Sequence, residues 1–533
     1  MKKGMSKLLS VLLIVIVAAG IMAGCGESTN NAVKSETTAL QTPAPAEDTQ
    51  KTGEIQVIED IQVWDENNAN KALEKGSPLY EKYMEMFGVG VLKPTVEWNG
   101  GTSYQNTLNM KIAAGEMPDV FLPTNGSEVE LMKNGALADL TDLLPQYAPS
   151  LWKIVPQEVW ETMKSMDPSG KNRIYLIPAV QDYVVNGMLI RKDWLDKVGL
   201  DIPKTQAELV NVLKAFRDKD PNGNSQKDEL PTIGRENGTW MDYLFAMYGV
   251  AMNTDPEWDI YNGELTYAAV TPNMKAALEF VSELYKDKLI DSETFLNKKD
   301  VWEAKIRGDK VGLFYHIPDA VNGKLVDIKK INPDVEIVSM PLPKVEGYTG
   351  FIAQKKVNRI NYVFKNQSEE RVIAGLKVLE GVANPDNYEK HKYRIEGEDY
   401  VVKNGARVES DVEKTKLTNF LNYTFLQNLG FKLRDMASEP EGEKKWAVNM
   451  AMEAVKADQV NGKIIASDGM PATIYDGYTD IKNKVLFNEY MSKIIIGSFP
   501  ISKFDEFVQK WNKAGGEEVT KRAREWYAKK TQK

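Results

Sequence analysis

Residues 189–216 read LIRKDWLDKVGLDIPKTQAELVNVLKAF, and the second half of this stretch decides the local fold. Thr205-Gln206-Ala207-Glu208 is a capping box, in which a threonine hydroxyl satisfies an orphan helix N–H and the glutamate reaches back to another. Leu209, Val212, Leu213 and Phe216 then fall at the i, i+3, i+4, i+7 spacing of one helical face. Downstream, Thr271 caps a second helix with Pro272 in its first turn and Met274, Ala277, Leu278, Val281, Leu284 and Tyr285 as its buried stripe. Near the end, Ser502 precedes a helix carrying Phe504, Phe507, Val508 and Trp511 on one side, and Gly515-Gly516 is expected to stop it before a last helix. Upstream, Ile55–Ile58, Ile61–Trp64, Pro94–Trp98 and Asp119–Leu122 read as strands, the last after a helix stopped by Gly115 and Pro118. Strands alternating with amphipathic helices predict an α/β architecture with helices packed on sheets. There is no internal repeat.

Composition bounds the function. At 533 residues, 42% hydrophobic and 27% charged, the chain is globular and too long for one core, so at least two lobes are expected. One cysteine rules out a disulfide framework, a thiolate zinc site and an iron–sulfur cluster, and two histidines leave little for imidazole metal chemistry. The net charge of −9 becomes more negative once Lys2, Lys3 and Lys7 leave with a leader, and disfavours nucleic acid as a partner.

Residues 1–24 read as a secretory signal: three lysines precede the apolar run LLSVLLIVIVAAGIMAG. That run is at the short limit for a membrane span. Met22-Ala23-Gly24-Cys25 resembles the bacterial lipobox, which implies lipidation of Cys25 and anchoring at the outer face of the cell membrane. Residues 26–53 carry almost no large apolar side chain and form a tether of about 30 Å root-mean-square span.

Ala113-Ala114-Gly115-Glu116-Met117-Pro118-Asp119-Val120 resembles the small-small-Gly-acid-x-Pro-Asp-apolar signature of extracellular solute-binding proteins (family 1) of bacterial ABC importers. The block Leu189–Leu200 with Pro203–Leu209 is similar to a motif of the lipoprotein branch of that superfamily, the one that includes alginate- and oligosaccharide-binding lipoproteins. Glu283–Asp291 and the segment from Tyr490 to Tyr527 resemble two further elements in the same order. The resemblance implies a type II, periplasmic-binding-protein-like fold with a hinge: lobe one over 54–178 plus about 345–384, lobe two over 179–344, and 385–533 extending both. It further implies a monomer that closes on a carbohydrate, an oligosaccharide for a chain of this size, and delivers it to ABC transporter permease subunits.

One loop suggests a metal. Asp220, Asn222, Asn224, Asp228 and Glu229 place oxygen-bearing side chains at positions 1, 3, 5, 9 and 10, with the Gln226 carbonyl at position 7 and Gly223 at the bend. A hard cation collects six to eight such oxygens, so a structural calcium ion (Ca2+) is expected. A full EF-hand has glutamate at position 12; here Glu229 must close the shell. The alternative is a solvated turn, for which Asp, Asn and Gly are also the common residues. Three carboxylates within ten residues would repel one another without a cation.

A glycan site needs aromatic platforms for C–H faces and planar polar partners for hydroxyls. Trp194, Trp511 and Trp526 sit in helical motifs that read as core. Trp64, Asn125, Tyr183, Trp240, Tyr243, Trp302 and Tyr315 lie at strand ends and in loops, and are the candidate ligand contacts. No catalytic residue is expected. A secreted polysaccharide-degrading enzyme would need a carboxylate pair across a cleft, and none sits in a recognisable motif. Gly-x-Ser-x-Gly, phosphate-loop and dinucleotide motifs are absent, and His316 and His391 read as a loop or strand residue and a solvated one. A surface sensor of a ligand that is not imported is a third reading.

Overall fold

The computed structural model describes residues 60–532 apart from 66–71, 98–101, 125, 318–321, 385, 386 and most of 388–443. Cys25 with the apolar run before it and the tether after it, the Ile55–Ile58 strand, Asn125 and His391 therefore lie outside the described residues. Among the described residues no helix is long and apolar enough to cross a membrane.

Two mixed sheets form. The first has six strands in the order Leu426–Gln427, Leu176–Gln181, Val357–Phe364, Val120–Phe121, Asp60–Trp64, Gly90–Leu92. Val357–Phe364 runs antiparallel between Leu176–Gln181 and Val120–Phe121. The second has four strands in the order Ile337–Ser339, Gly187–Arg191, Val311–His316, Leu230–Thr232. Gly187–Arg191 is antiparallel to both its neighbours. The chain passes from the first sheet to the second between Gln181 and Gly187, and returns after Ser339. It then runs out again: Leu426–Gln427 joins the first sheet, whereas helix Lys445–Asp458 packs on strands of the second. Strand Gly462–Ile464 pairs in parallel with Ile352–Gln354 on the returning segment.

The second sheet is covered on both faces, and its strands show why they read as nearly continuous apolar runs. Successive side chains of a strand point to opposite faces. Met188, Ile190 and Leu313 enter a core with Trp194, Leu213, Phe216, Leu278 and Val281. Leu189, Phe314 and Ile337 enter another with Trp302, Ile306, Leu325 and Ala447. The first sheet is packed by Tyr80, Tyr83, Leu108, Trp160 and Leu376 around Val63, Phe121, Ile177 and Val363.

The capped helices form where the sequence places them. Gln206–Asp218 starts behind Thr205, whose hydroxyl accepts from Glu208 N at 3.2 Å, while Glu208 reaches back to Lys204 N at 2.7 Å. Pro272–Lys286 starts behind Thr271, and its predicted stripe is buried except for half-buried Tyr285. Trp194 and Trp511 are core, but Trp526 is only half-buried and carries Lys530 over its ring. One expectation fails. Residues 94–97 are not strand: the ladder ends at Leu92, and Pro94 has no N–H to extend it. Gly515-Gly516 separates the last two helices as expected: Gly515 takes a non-helical φ of 120° against the Tyr478 ring and kinks the chain between Lys503–Trp511 and Glu517–Thr531.

Candidate functional site

Beside the two passages between sheets lies a cavity of about 250 Å3. Gln181, Val184, Val185 and Asn186 contribute one wall, and Ile352, Ala353, Gln354 and Lys355 another. Asn253 and Thr254 close it from the turn after Met252, where Thr254 adopts φ +64°. Trp240 and Tyr315 supply its aromatic surface. Trp240 is half-buried at φ +62°, a left-handed conformation that a bulky residue adopts only when its surroundings enforce it.

Those surroundings form an aromatic column. Trp302 stacks on His316 with ring centroids 5.1 Å apart, and Trp240 packs on Trp302, His316 and Tyr315. His316 is buried and bonds the Ile317 carbonyl through Nδ1; burial, and then the Lys324 cation, push its pKa down to about 3, so it is a neutral ring. Tyr243 packs on Tyr315, and its hydroxyl donates to Thr232 Oγ1, which donates in turn to the Leu313 carbonyl.

The candidate contacts therefore separate. Trp240 and Tyr315 are brought together on the cavity wall. Trp302 and Tyr243, expected as ligand contacts, stand behind them, fully buried, because each fills a gap between a helix or loop and the second sheet. Tyr183 is also buried, in a small cluster with Met436, Val448 and Val455. Trp64 is remote from the others: it borders a second cavity of about 710 Å3 against the first sheet, with Gln62, Lys111, Glu116, Lys365 and Arg371. There Arg371 binds Asp119 with two nitrogens at 3.0 and 2.7 Å, and Asp119 also accepts from Gln62 N at 2.8 Å. The sequence missed the amides Gln181, Asn186, Asn253 and Gln354. Their one local signal is position, next to the segments where the chain changes sheets.

Two buried carboxylates stand close to Tyr315. Asp242, pushed up to about 6 by burial, accepts Thr254 N–H at 2.6 Å. Asp458 ends helix Lys445–Asp458, is 1% exposed, and is pushed up to about 7 by burial, against the opposing hydrogen bond from Ser339 Oγ. Burial first, and then both carboxylates, raise the Tyr315 phenol well above its ordinary value, so it is an uncharged donor. Next in sequence, the Gln459 side chain accepts from Val184 N at 2.9 Å and donates to the Val184 carbonyl at 3.2 Å.

The predicted calcium loop is a nest of Asx turns. Asp220 accepts from Gly223 N and Ser225 N, Asn222 from Asn224 N, and Asn224 from Gln226 N. The amides of Asn222 and Asn224 donate to Asp228 Oδ1, and Lys310 lies 3.0 Å from its Oδ2. Against burial, these partners hold Asp228 below the usual carboxylate range. Glu229 is raised by burial and by neighbouring Asp220, and its buried Oε1 has no hydrogen-bond partner among the described residues. Among the described residues no three acidic, histidine or cysteine side chains converge closely enough to form a metal cluster by themselves. Any shell here must include the asparagine and backbone oxygens.

A family model described as bacterial extracellular solute-binding protein matches residues 79–394. Over 238 residues the chain is 32% identical to the fructooligosaccharide ABC transporter substrate-binding protein FusA of Streptococcus pneumoniae serotype 4, covering 41% of this chain and 43% of FusA, less than half of that relative's length. It is 24% identical over 528 residues to the lipoprotein LipO of Bacillus subtilis, covering 95% of each chain. The fold resembles that of the alginate-binding protein AlgQ2 without calcium ion, with a TM-score of 0.67 and 20% identity over 89% of this chain and 98% of that one.

Proposed function

Because the chain belongs to the bacterial extracellular solute-binding protein family, we propose that it captures a carbohydrate, an oligosaccharide, in the cavity beside the sheet passages and delivers it to the permease of an ABC importer. The observation that carries this reading is the cavity wall. Amides that both donate and accept surround an aromatic surface, which is what hydroxyls and C–H faces of a sugar ring require. FusA, named for fructooligosaccharide, supports the sugar class. We assign lobe one to the expected 54–178, carried on to Gln181 because Leu176–Gln181 is one strand of the first sheet, plus about 345–384, and lobe two to the stretch from there to 344, with 385–533 serving both, so that closure is a rotation about the passages at 182–186 and 340–351. Trp240 and Tyr315 are the direct contacts; Trp302 and Tyr243 hold them in place. Lipidation at Cys25 anchors the protein outside the cell, a reading that its similarity to the lipoprotein LipO supports.

The test is calorimetric titration and thermal unfolding with a panel of oligosaccharides. Ligand at about 100 times its dissociation constant adds about 2.7 kcal/mol to the folded state. One glycan family that binds without yielding hydrolysis products supports the reading; product formation replaces it with an enzyme, and binding by no sugar removes the carbohydrate.

The residues of the 220–229 loop fit a calcium ion: Asp220, Asn222, Asn224, the Gln226 carbonyl, Asp228 and Glu229, whose buried Oε1 has no hydrogen-bond partner among the described residues. A bound ion would neutralise three crowded carboxylates and fasten the loop beside strands Leu230–Thr232 and Val311–His316. Asp220→Ala is expected to abolish a calcium-dependent rise in melting temperature; an undiminished rise in the variant rejects the site.

A further inference from the structure

The charge of the cavity wall narrows the class of sugar, an inference that rests on the carbohydrate reading above. Among the described lining residues there is no carboxylate and one cation, Lys355. Its Nζ lies 2.5 Å from Glu257 Oε1, and both side chains are largely shielded, 25% and 17% exposed. Behind the wall stand the carboxylates of Asp242, which holds the Thr254 backbone, and Asp458, which lies against Gly187, next in sequence to the lining Asn186. Neither pairs with a cation among the described residues.

We propose that the cavity selects an uncharged sugar ring and rejects uronates, with Glu257 as the specificity-determining residue because it already occupies Lys355, the one lysine among the described lining residues. A carboxylate leaving water for a shielded site needs a cation of its own. Here it would meet a neutralised Lys355 and two buried acids. Hydroxyls meet no such penalty: Gln181, Asn186, Asn253 and Gln354 can each donate and accept, and Asn186 Oδ1 is buried without a partner among the described residues. At about 250 Å3 the cavity is smaller than the usual pocket for a drug-sized ligand, so it takes one ring and the rest of an oligosaccharide lies outside it.

The test is calorimetric titration of the full-length chain in detergent micelles at neutral pH, with neutral fructan and raffinose-type trisaccharides against trigalacturonate. The neutral sugars are expected to bind, with trigalacturonate about 100-fold weaker or undetectable. Glu257→Gln releases Lys355 and is expected to raise uronate affinity about tenfold, a gain that the added Lys355→Gln change removes. A wild-type preference for the uronate overturns the inference and leaves the carbohydrate reading standing. So does a folded Glu257→Gln variant with unchanged uronate affinity. Binding by neither class overturns both readings. The wild-type ratio decides by itself if Glu257→Gln does not fold.

Discussion

Asp458 shows how one residue joins distant parts of the chain. Its Oδ2 lies where a Cβ on Gly187 would sit, only 1.6 Å away, so glycine is the residue that fits at the start of strand Gly187–Arg191. Ser339, its hydrogen-bond donor, ends the strand from which the chain returns to the first sheet. Unfolded, this carboxyl titrates near its ordinary 3.8, and folded near 7. Between those values the folded state binds more protons, so stability is fully present below the unfolded value and is lost as pH rises through about 7. From pH 5 to 8 the wild type should lose about 2 to 3 kcal/mol more than Asp458→Asn, as read by urea unfolding at each pH. Equal slopes in the two proteins would show that Asp458 is ionised at neutral pH. The signature residue Asp119 illustrates the same gap between a motif and its role: legible in the sequence as a family mark, it is built into the structure as an anchor that holds Arg371 and the Gln62 backbone.

At the scale of elements, local sequence was the better guide. Capping boxes, helical stripes and turn glycines act over four to eight residues, so Gln206–Asp218 and Pro272–Lys286 could be read directly. Thr271 is 2% exposed, accepts from Met274 N at 3.2 Å and donates to the Ala268 carbonyl at 2.8 Å. Ser502, in the equivalent place before Lys503–Trp511, makes no capping bond through its side chain. Thr271→Ala should therefore cost about 1 kcal/mol in unfolding free energy, and Ser502→Ala less than about 0.5 kcal/mol. Equal losses would mean that the Thr271 hydroxyl contributes nothing as a cap. The strand expected at residues 94–98 failed for the complementary reason: β-propensity reports a fit to neighbouring strands rather than a local preference, and residues 94–97 take no strand conformation.

Across the whole molecule, the segment from Asp458 to Ile464 ties the two passages together. Gln459 holds both polar groups of Val184 on the outgoing passage, and Gly462–Ile464 pairs with Ile352–Gln354 on the returning one. If closure turns on these passages, Gln459 biases the equilibrium between open and closed forms without touching the ligand. Gln459→Ala is expected to weaken sugar binding at least about fivefold while the cavity residues stay in place. A lowered melting temperature with unchanged affinity would assign Gln459 to stability alone.

The sequence by itself determined the α/β class, the capped helices, the family and the oxygen-rich loop at 220–229, because each is written in residues near one another in the chain. It also pointed to Trp240 and Tyr315. Tertiary structure alone decided that Trp302 and Tyr243 stand behind them as core, and that amides from 181, 186, 253 and 354 share one wall. It alone set Glu257 on Lys355 and placed Asp458 against Gly187. Those pairings join residues tens to hundreds of positions apart. Burial and the electrostatics of a shielded site depend on which distant surfaces meet, and no local pattern encodes that.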